Sequence, residues 1–345
     1  QSAIGSPRNV TPINCLSGET KILTREYGSV SIESVADKWV TLLDGNSDWI
    51  QCYIYNHGLA TTYELTFKGG FENVKIRSTL EHDWVLEGGL TKIKTKSFTN
   101  TNGKRYIDSL YPEKTIYDFE SYNKGVVHGL IYGDGSKRSD NGYTYRVCGC
   151  HSGVMDFLQS YPHSHPSSCN GDPVYYFYGE NVWDEFKALP FHNNLDYLLG
   201  FLRGWFAADG CVSEQPEYTL CCDQEEMNWL NNYGPLVGWH CRGYSKLCNE
   251  TNFGVRKKQS LNVRIKRSSL QPEDFLLDKH RNRFLASKGG DGWRIHGKYS
   301  NPRQEIVYCP LVPTTKSFAL SNGIHSGNCF VSGVVEDSFD EIMDK

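Results

Sequence analysis

The dipeptide Asn-Cys occurs twice, at Asn14-Cys15 and Asn328-Cys329, leaving 14 residues before the first cysteine and 17 after the last asparagine. Each cysteine follows an amide that its own thiolate can attack. Attack of Cys15 on the Asn14 carbonyl turns the amide into a thioester, and Cys329 can take over the acyl group by thioester exchange. Asn328 can then cyclise through its side-chain amide and cut the chain after itself. The flanks would be left joined as SPRNVTPIN followed by CFVSGVVEDSFDEIMDK. This chemistry relies on proximity, worth effective molarities of ~10⁵ M or more, so residues 15, 328 and 329 must meet in space.

A second set of reactive residues lies between the dipeptides. HGLIYGDGSK at 128–137 and LRGWFAADGCV at 202–212 both run from a helical apolar stretch into Asp-Gly. Small residues let two such helices pack closely, which would deliver Asp134 and Asp209 side by side at their C-termini. Two paired carboxylates there would hold a divalent metal suited to phosphodiester hydrolysis. Taken singly, each Asp-Gly is an ordinary turn signal. Downstream, residues 242–305 carry fifteen Lys and Arg against six Asp and Glu, although the whole chain has a net charge of −4. The run includes Arg256, Lys257 and Lys258, then Arg264, Lys266 and Arg267. Alternation in LNVRIKR predicts a strand with its cations on one face, a shape that can track phosphates. A solvated polar face is the plainer meaning of such a run. Cys148-Gly-Cys150-His151 lacks the two CxxC-type pairs of a strong zinc site and reads as a thiol-bearing strand and loop.

The elements that must position these residues change along the chain. Residues 15 to about 113 alternate apolar and polar in short runs, predicting an all-β unit. From about 118 to 290, helical stretches mix with strands, and from about 300 the strand texture returns. An all-β unit interrupted by an inserted α/β unit explains that order. With 39% hydrophobic and 22% charged residues the chain is of ordinary globular composition. No apolar run approaches the ~18 residues of a membrane span, the N-terminus is polar, and twelve scattered cysteines fit reduced thiols. The expectation is a soluble, cytoplasmic protein.

The ordered motifs resemble an intein carrying a LAGLIDADG homing endonuclease. Cys15-Leu-Ser-Gly-Glu-Thr-Lys is similar to the first splicing motif, and Thr79 with His82 matches the family's Thr-x-x-His. LIYGDG and WFAADG are similar to the paired endonuclease motifs, and Lys187-Ala-Leu-Pro190 to the family's Lys-x-x-Pro. VYCPLVPTTKSFAL and NGIHSGN before Cys329 are similar to the closing motifs. The resemblance implies an all-β, horseshoe-like Hint domain interrupted by an α/β endonuclease with a pseudo-two-fold repeat. Its parts would be a flank at 1–14, splicing segments at 15–115 and 296–328, the endonuclease at 116–295 and a flank at 329–345.

That resemblance implies autocatalytic splicing by Cys15, Thr79, His82, Cys309, Asn328 and Cys329, without a cofactor. Thr79 and His82 would place donors on the developing oxyanion, and His82 could also protonate the departing amine. It also implies Mg²⁺ at Asp134 and Asp209, Lys187 beside the scissile phosphate, and a second basic residue among Lys258, Lys266 and Lys279. The partner would be a duplex site in the intein-free host gene, gripped by Arg256, Lys257, Lys258, Arg264, Lys266 and Arg267. The chain is expected to act as a monomer. Joined, the flanks resemble a ribonucleotide reductase catalytic subunit near a redox-active cysteine. The chain departs from the family where Gly327 stands for the usual His before the terminal Asn and Lys316 for a second His. His325 is a candidate substitute, and Cys309 stands where an Asp is common. Alternatives are a hedgehog-like domain that cleaves without ligation and a DNA-binding protein whose splicing is impaired.

Overall fold

The computed structural model describes residues 14–69, 72–99, 106–137, 143–148, 153–164, 167–169, 172–179, 184–191, 194–214, 217–247, 250–251, 254–255, 260–287 and 292–328. The chain divides into two compact units. One comprises the chain up to Gly69, Asn73–Leu110 and everything from Trp293 onward; the other comprises Gly70–Glu72 and Tyr111–Gly292. The sequence-based boundaries at 115/116 and 295/296 thus compare with divisions at 110/111 and 292/293. Among the described residues no helix is long and apolar enough to cross a membrane.

The first unit is built of strands. Its larger sheet runs Gly28–Ser31, Lys21–Thr24, Trp39–Leu43, Trp49–Gly69, Glu72–Ser78, Leu16–Ser17, Trp293–Leu311 and Tyr106–Ile107. The two long strands, Trp49–Gly69 and Trp293–Leu311, also pair antiparallel along most of their length. Strands that long need inward-facing apolar side chains, which here include Cys52, Ile54, Leu65 and Phe67. A smaller sheet orders Ser317–Ala319, His325–Gly327, Asp83–Val85 and Lys92–Lys94. Trp84, Phe67, Trp293 and Phe318 are fully buried in the core of this unit.

Two pairings decide where the reactive ends lie. Leu16 lies in antiparallel register between Ser78 and Tyr308, and Ser326 lies opposite Trp84. Cys15 is therefore held beside Thr79, while the strand leading to Asn328 is held beside the one starting at Asp83.

The second unit is built on two helices, Phe119–Asp134 and Leu195–Asp209. Each starts at a side-chain cap, Asp118 accepting from Ser121 N–H and Asn194 from Asp196 and Tyr197 N–H. The helices touch through small residues at four-residue spacing: Gly125, Gly129 and Gly133 on the first, Gly200, Gly204 and Ala208 on the second. A Cβ on Gly125 would sit 2.2 Å from Tyr197 O, and one on Gly200 would sit 2.2 Å from Tyr122 O. Those two contacts are the same contact with the helices exchanged, at an offset of 75 residues (200 − 125, and 197 − 122). The same offset relates Gly129 to Gly204 and Asp134 to Asp209. The pair therefore has an internal two-fold.

The sheets obey it too. Each helix runs into a four-stranded antiparallel sheet whose strands, numbered within the sheet, are ordered first, second, fourth, third. After the first helix these are Ser136–Lys137, Tyr143–Cys148, Asp172–Gly179 and Ser167–Cys169 in spatial order; after the second, Gly210–Val212, Tyr218–Cys222, Leu261–Ile265 and Cys241–Lys246. Even buried polar groups repeat with variation. His128 Nδ1 is 2.8 Å from Tyr197 Oη, and at the related positions Arg203 Nη1 donates to Tyr122 Oη at 3.2 Å. Arg203 also pairs with Asp274, which Lys114 approaches at 2.5 Å. With three hydrogen-bonded charges, this buried cluster satisfies what burial alone would penalise.

Candidate functional site

The two Asn-Cys neighbourhoods converge in the β-rich unit. Asn14 Nδ2 donates to Asn328 O at 2.5 Å, although 314 positions separate the two residues. The same amide donates to Asp83 Oδ2 at 3.3 Å, and Asp83 N–H returns a bond to Asn14 Oδ1 at 2.9 Å. Asn14 is thus clamped on both ends of its side chain.

At the first junction Cys15 is fully buried, sharing an apolar cluster with Ala60, Val307 and Cys309. Cys309 Sγ donates to Pro310 O at 3.4 Å. Thr79 brackets Cys15: its N–H donates to Cys15 O at 3.0 Å, and its Oγ1 accepts from Cys15 N–H at 3.1 Å. Accepting that bond leaves the Thr79 hydroxyl proton available to donate. The hydroxyl holds the nitrogen that would leave, because the Leu16 pairing turns the Cys15 N–H toward Thr79. His82 is fully buried, its N–H donates to Thr79 O at 3.2 Å, and its ring lies 4.5 Å from that of Trp84. Its Nε2 is 2.9 Å from Ser326 Oγ.

At the second junction Asn328 is buried. Its N–H donates to Lys316 O at 3.1 Å, and its Nδ2 donates to Val312 O at 2.8 Å. Asn328 Oδ1 is buried and has no hydrogen-bond partner among the described residues, so the side chain sits there at a cost of about 1–3 kcal/mol. His325, the candidate substitute for the missing histidines, lies in a polar contact network. Its Nδ1 is 2.8 Å from Asp108 Oδ2 and its Nε2 is 3.0 Å from Ser317 Oγ, so both ring nitrogens are engaged. Cys329 lies outside the described residues.

The structure also accounts for Gly327. A Cβ there would sit 2.7 Å from Asp83 Cβ and 3.0 Å from Asp83 O. Placing a histidine here with Gly327→His is expected to push the final strand off Asp83 and weaken the clamp on Asn14. We expect cutting at the second junction to slow rather than recover, by about tenfold or more; a faster rate by timed gel analysis would contradict that.

In the α/β unit the helix pair brings Asp134 and Asp209 together. A Cβ on Gly133 would sit 2.5 Å from Ala208 Cβ and 2.8 Å from Asp209 Oδ2, so the glycine lets the second helix close in beside Asp134. Asp134 is exposed, while Asp209 is half-buried and accepts from Trp205 Nε1 at 3.2 Å. Burial, and then the neighbouring Asp134 charge, push the Asp209 carboxyl up to about 6. Crowded acids of this kind fit a divalent cation, which removes the repulsion and accepts hard oxygen donors. No group of three or more metal-ligating side chains occurs among the described residues, so a cation would complete its shell with water and substrate oxygens.

Lys187 meets this pair. Its Nζ donates to Tyr132 O at 2.9 Å; burial lowers its pKa, and Asp209 and Asp134 oppose the shift. The turn carrying it is pinned by His128 Nε2 on Ala188 O at 2.9 Å and by Trp229 Nε1 on Pro190 O at 2.8 Å. Neither pinning residue is evident from sequence; the 75-residue repeat was the signal available for His128, through Arg203.

The expected cationic face is partly corrected. In the strand Leu261–Ile265 the odd positions are buried and Asn262 and Arg264 face outward. The strand then ends, Lys266 N–H turns to His240 O, and the Lys266 side chain is fully buried. Lys266 is thus removed from the phosphate-contacting set because the alternation stops one residue early. Arg264 pairs with Glu217 at 3.3 Å, and Arg267 donates to Ser287 with its guanidinium 4.7 Å from the Phe284 ring. Lys279 is exposed, whereas Arg256, Lys257 and Lys258 lie outside the described residues, as do Cys150 and His151. Sequence alternation missed Arg146, which is exposed opposite Tyr176 in the other sheet.

No family model and no curated protein matches the chain. Among solved structures it is similar to I-DmoI in complex with DNA and Ca, at 17% identity over 41% of this chain and 83% of that one, with a TM-score of 0.26. It is similar also to the N-terminal LAGLIDADG domain of DUF199/WhiA, at 13% identity over 50% of this chain and 87% of that one, TM-score 0.32. Full-length DUF199/WhiA from Thermatoga maritima gives 13% identity, 51% and 63% coverage and a TM-score of 0.33.

Proposed function

We propose that the β-rich unit is an intein that excises residues 15–328 and ligates its flanks, and that the α/β unit is a LAGLIDADG-type DNA endonuclease carried within it. The observation that carries the splicing reading is the hydrogen bond between Asn14 and Asn328, residues 314 apart. A domain that only cleaved its N-terminal junction would have no need to hold Asn328 against it.

In this reading the Cys15 thiolate attacks the Asn14 carbonyl, with Thr79 orienting the scissile N–H and His82 giving a proton to the leaving nitrogen. Cys329 receives the acyl group, and Asn328 cyclises to free it. The host we read as a ribonucleotide reductase, from the joined flank NCFVSGVVEDSFDEI, acting in the cytoplasm after excision. Expression of the chain followed by timed intact-mass analysis is expected to yield a 31-residue ligated flank, 14 residues plus 17. Asn328→Ala is expected to abolish that product while a branched or N-terminally cleaved species accumulates. Separate flanks without ligation would instead favour the cleavage-only reading.

The nuclease reading rests on Asp134, Asp209 and Lys187 meeting at the foot of a two-fold helix pair. Asp134 and Asp209 would hold a divalent cation, Mg²⁺ by expectation, which when bound supplies charge neutralisation at the scissile phosphate. Lys187 adds positive charge beside them, and outward cations such as Arg264 and Arg146 meet duplex phosphates. A plasmid bearing the uninterrupted host gene is expected to be cut with Mg²⁺ and left intact with EDTA; metal-independent cutting would refute the assignment.

A further inference from the structure

The residue before the first junction makes a contact that the splicing scheme does not use. In that scheme Asn14 contributes only its carbonyl, yet its side-chain amide sits on the carbonyl oxygen of Asn328 at 2.5 Å. That oxygen belongs to the bond broken at the other junction. We propose that Asn14, a flank residue, is a catalytic residue for the second cut, donating to the oxygen that becomes negative when Asn328 cyclises. The inference rests on the splicing reading and deepens it.

The chemistry is specific. Asn328 Nδ2 attacks the Asn328 main-chain carbonyl carbon; a carbon–nitrogen bond forms and the carbonyl oxygen takes the electron pair. The oxyanion collapses, the bond to the nitrogen of residue 329 breaks, and the proton shed by Nδ2 ends on that leaving amine. A donor already on the oxygen stabilises the charged intermediate more than the ground state, and such donors are worth 10²–10³ in rate. Asn14 is well built for the role. Asp83 accepts the second hydrogen of its amide at 3.3 Å and donates N–H to its Oδ1 at 2.9 Å, which fixes the amide's orientation and excludes the flipped one. Gly327, the residue next to Asn328, has no side chain to offer at this position.

A second observation bears on when the donor acts. In this state Asn328 Nδ2 is bound to Val312 O at 2.8 Å, so the nucleophile is held while the electrophile is already polarised. The donor is in place first, and cyclisation awaits release of the Asn328 amide from Val312.

The test uses the full chain with Cys15→Ala, in which only the second junction can react. With Asn14 present, release of the C-terminal flank is followed by mass spectrometry. If no release occurs at all, the splicing reading itself fails. If release occurs, Asn14→Ala and Asn14→Asp, made in the same background and checked by circular dichroism, are expected to slow it by about a hundredfold. A purely structural role would hurt both equally at every pH. The Asp variant instead should regain rate as pH falls toward 4 and its carboxyl gains a proton to donate, whereas the Ala variant should not. Undiminished release in Asn14→Ala, or parallel pH profiles for the two variants, would overturn the assignment.

Discussion

Asp209→Asn is expected to abolish DNA cutting and, at neutral pH, to make the α/β unit harder to melt. Both effects come from the same crowding. Asp209 is half-buried beside Asp134, and its carboxyl is pushed up to about 6 by burial and by that neighbour. A carboxyl whose folded pKa lies above its unfolded value holds its proton more tightly when folded. Stability is therefore greatest below about pH 4, falls as pH rises toward 6, and stays lowered above it. Asparagine keeps the size and the Trp205 contact but carries no charge, so it escapes that loss. The shift alone would correspond to about 3 kcal/mol, but partial solvent access reduces it, and a gain of ~1–2 kcal/mol is the expectation. For a unit of this size that is a rise in Tm of a few degrees. Cutting should fall by ~10³ or more, because several kcal/mol of phosphate charge neutralisation depend on the carboxylate. Calorimetry at pH 5 and pH 8 separates the parts: the variant's advantage should be full at pH 8 and about half as large at pH 5, midway through the fall. Mg²⁺ should raise the Tm of the unsubstituted chain only above about pH 6, where it no longer competes with a proton, and should not raise that of Asp209→Asn. A variant that still cuts, or that melts lower than the parent at pH 8, would refute the carboxylate-pair account.

How much of this was legible in the sequence differs between the two units. The helix pair was, because close helix packing leaves a record that needs no tertiary knowledge: small residues at four-residue spacing, ending in Asp-Gly, twice. The order of β, mixed and β textures was legible for a similar reason, since strand and helix periods differ. What alternation could not give was where a strand stops. LNVRIKR reads as cations on one face through Lys266, but the chain turns at Ile265 and Lys266 goes inward. The proposed splicing centre was legible as a set of residue types and hidden as a set of contacts. Nothing in the order of residues 14, 83 and 328 says that an asparagine amide bridges two junctions, nor that Ser326 holds His82. Those bonds are set by which strands pair across more than two hundred residues, and only the fold fixes that. Gly327 shows the converse: it read as a missing catalyst, and the structure gives it a steric reason in Asp83.

Gly129→Val is expected to cost the α/β unit more than any single change at a charged site. A Cβ at this position would lie 2.1 Å from Phe201 O and 2.5 Å from Trp205 N, and both are helix backbone, which cannot rotate aside as a side chain can. The helices must separate by more than an ångström, and the related contacts at Gly125, Gly200 and Gly204, each 2.2 Å to a carbonyl oxygen for a built Cβ, loosen with them. Overpacking at one ordinary core position costs about 1–3 kcal/mol. Here one substitution undoes a seam of four, so a loss above ~4 kcal/mol is the expectation, enough to unfold a marginal domain. Gly129→Ala should show the same sign at smaller size, since alanine adds only the first carbon. The change also separates Asp134 from Asp209 and shifts Tyr132, whose carbonyl holds Lys187, so any folded remainder should fail to cut DNA. The β-rich unit keeps its own core around Trp84 and Trp293, and the 31-residue ligation product is expected to persist. Hydrogen exchange across residues 119–134 and 195–209, read beside the ligation yield, tests this directly. Protection unchanged from the parent would mean that the helices tolerate separation and that glycine is not what sets the spacing of the two aspartates.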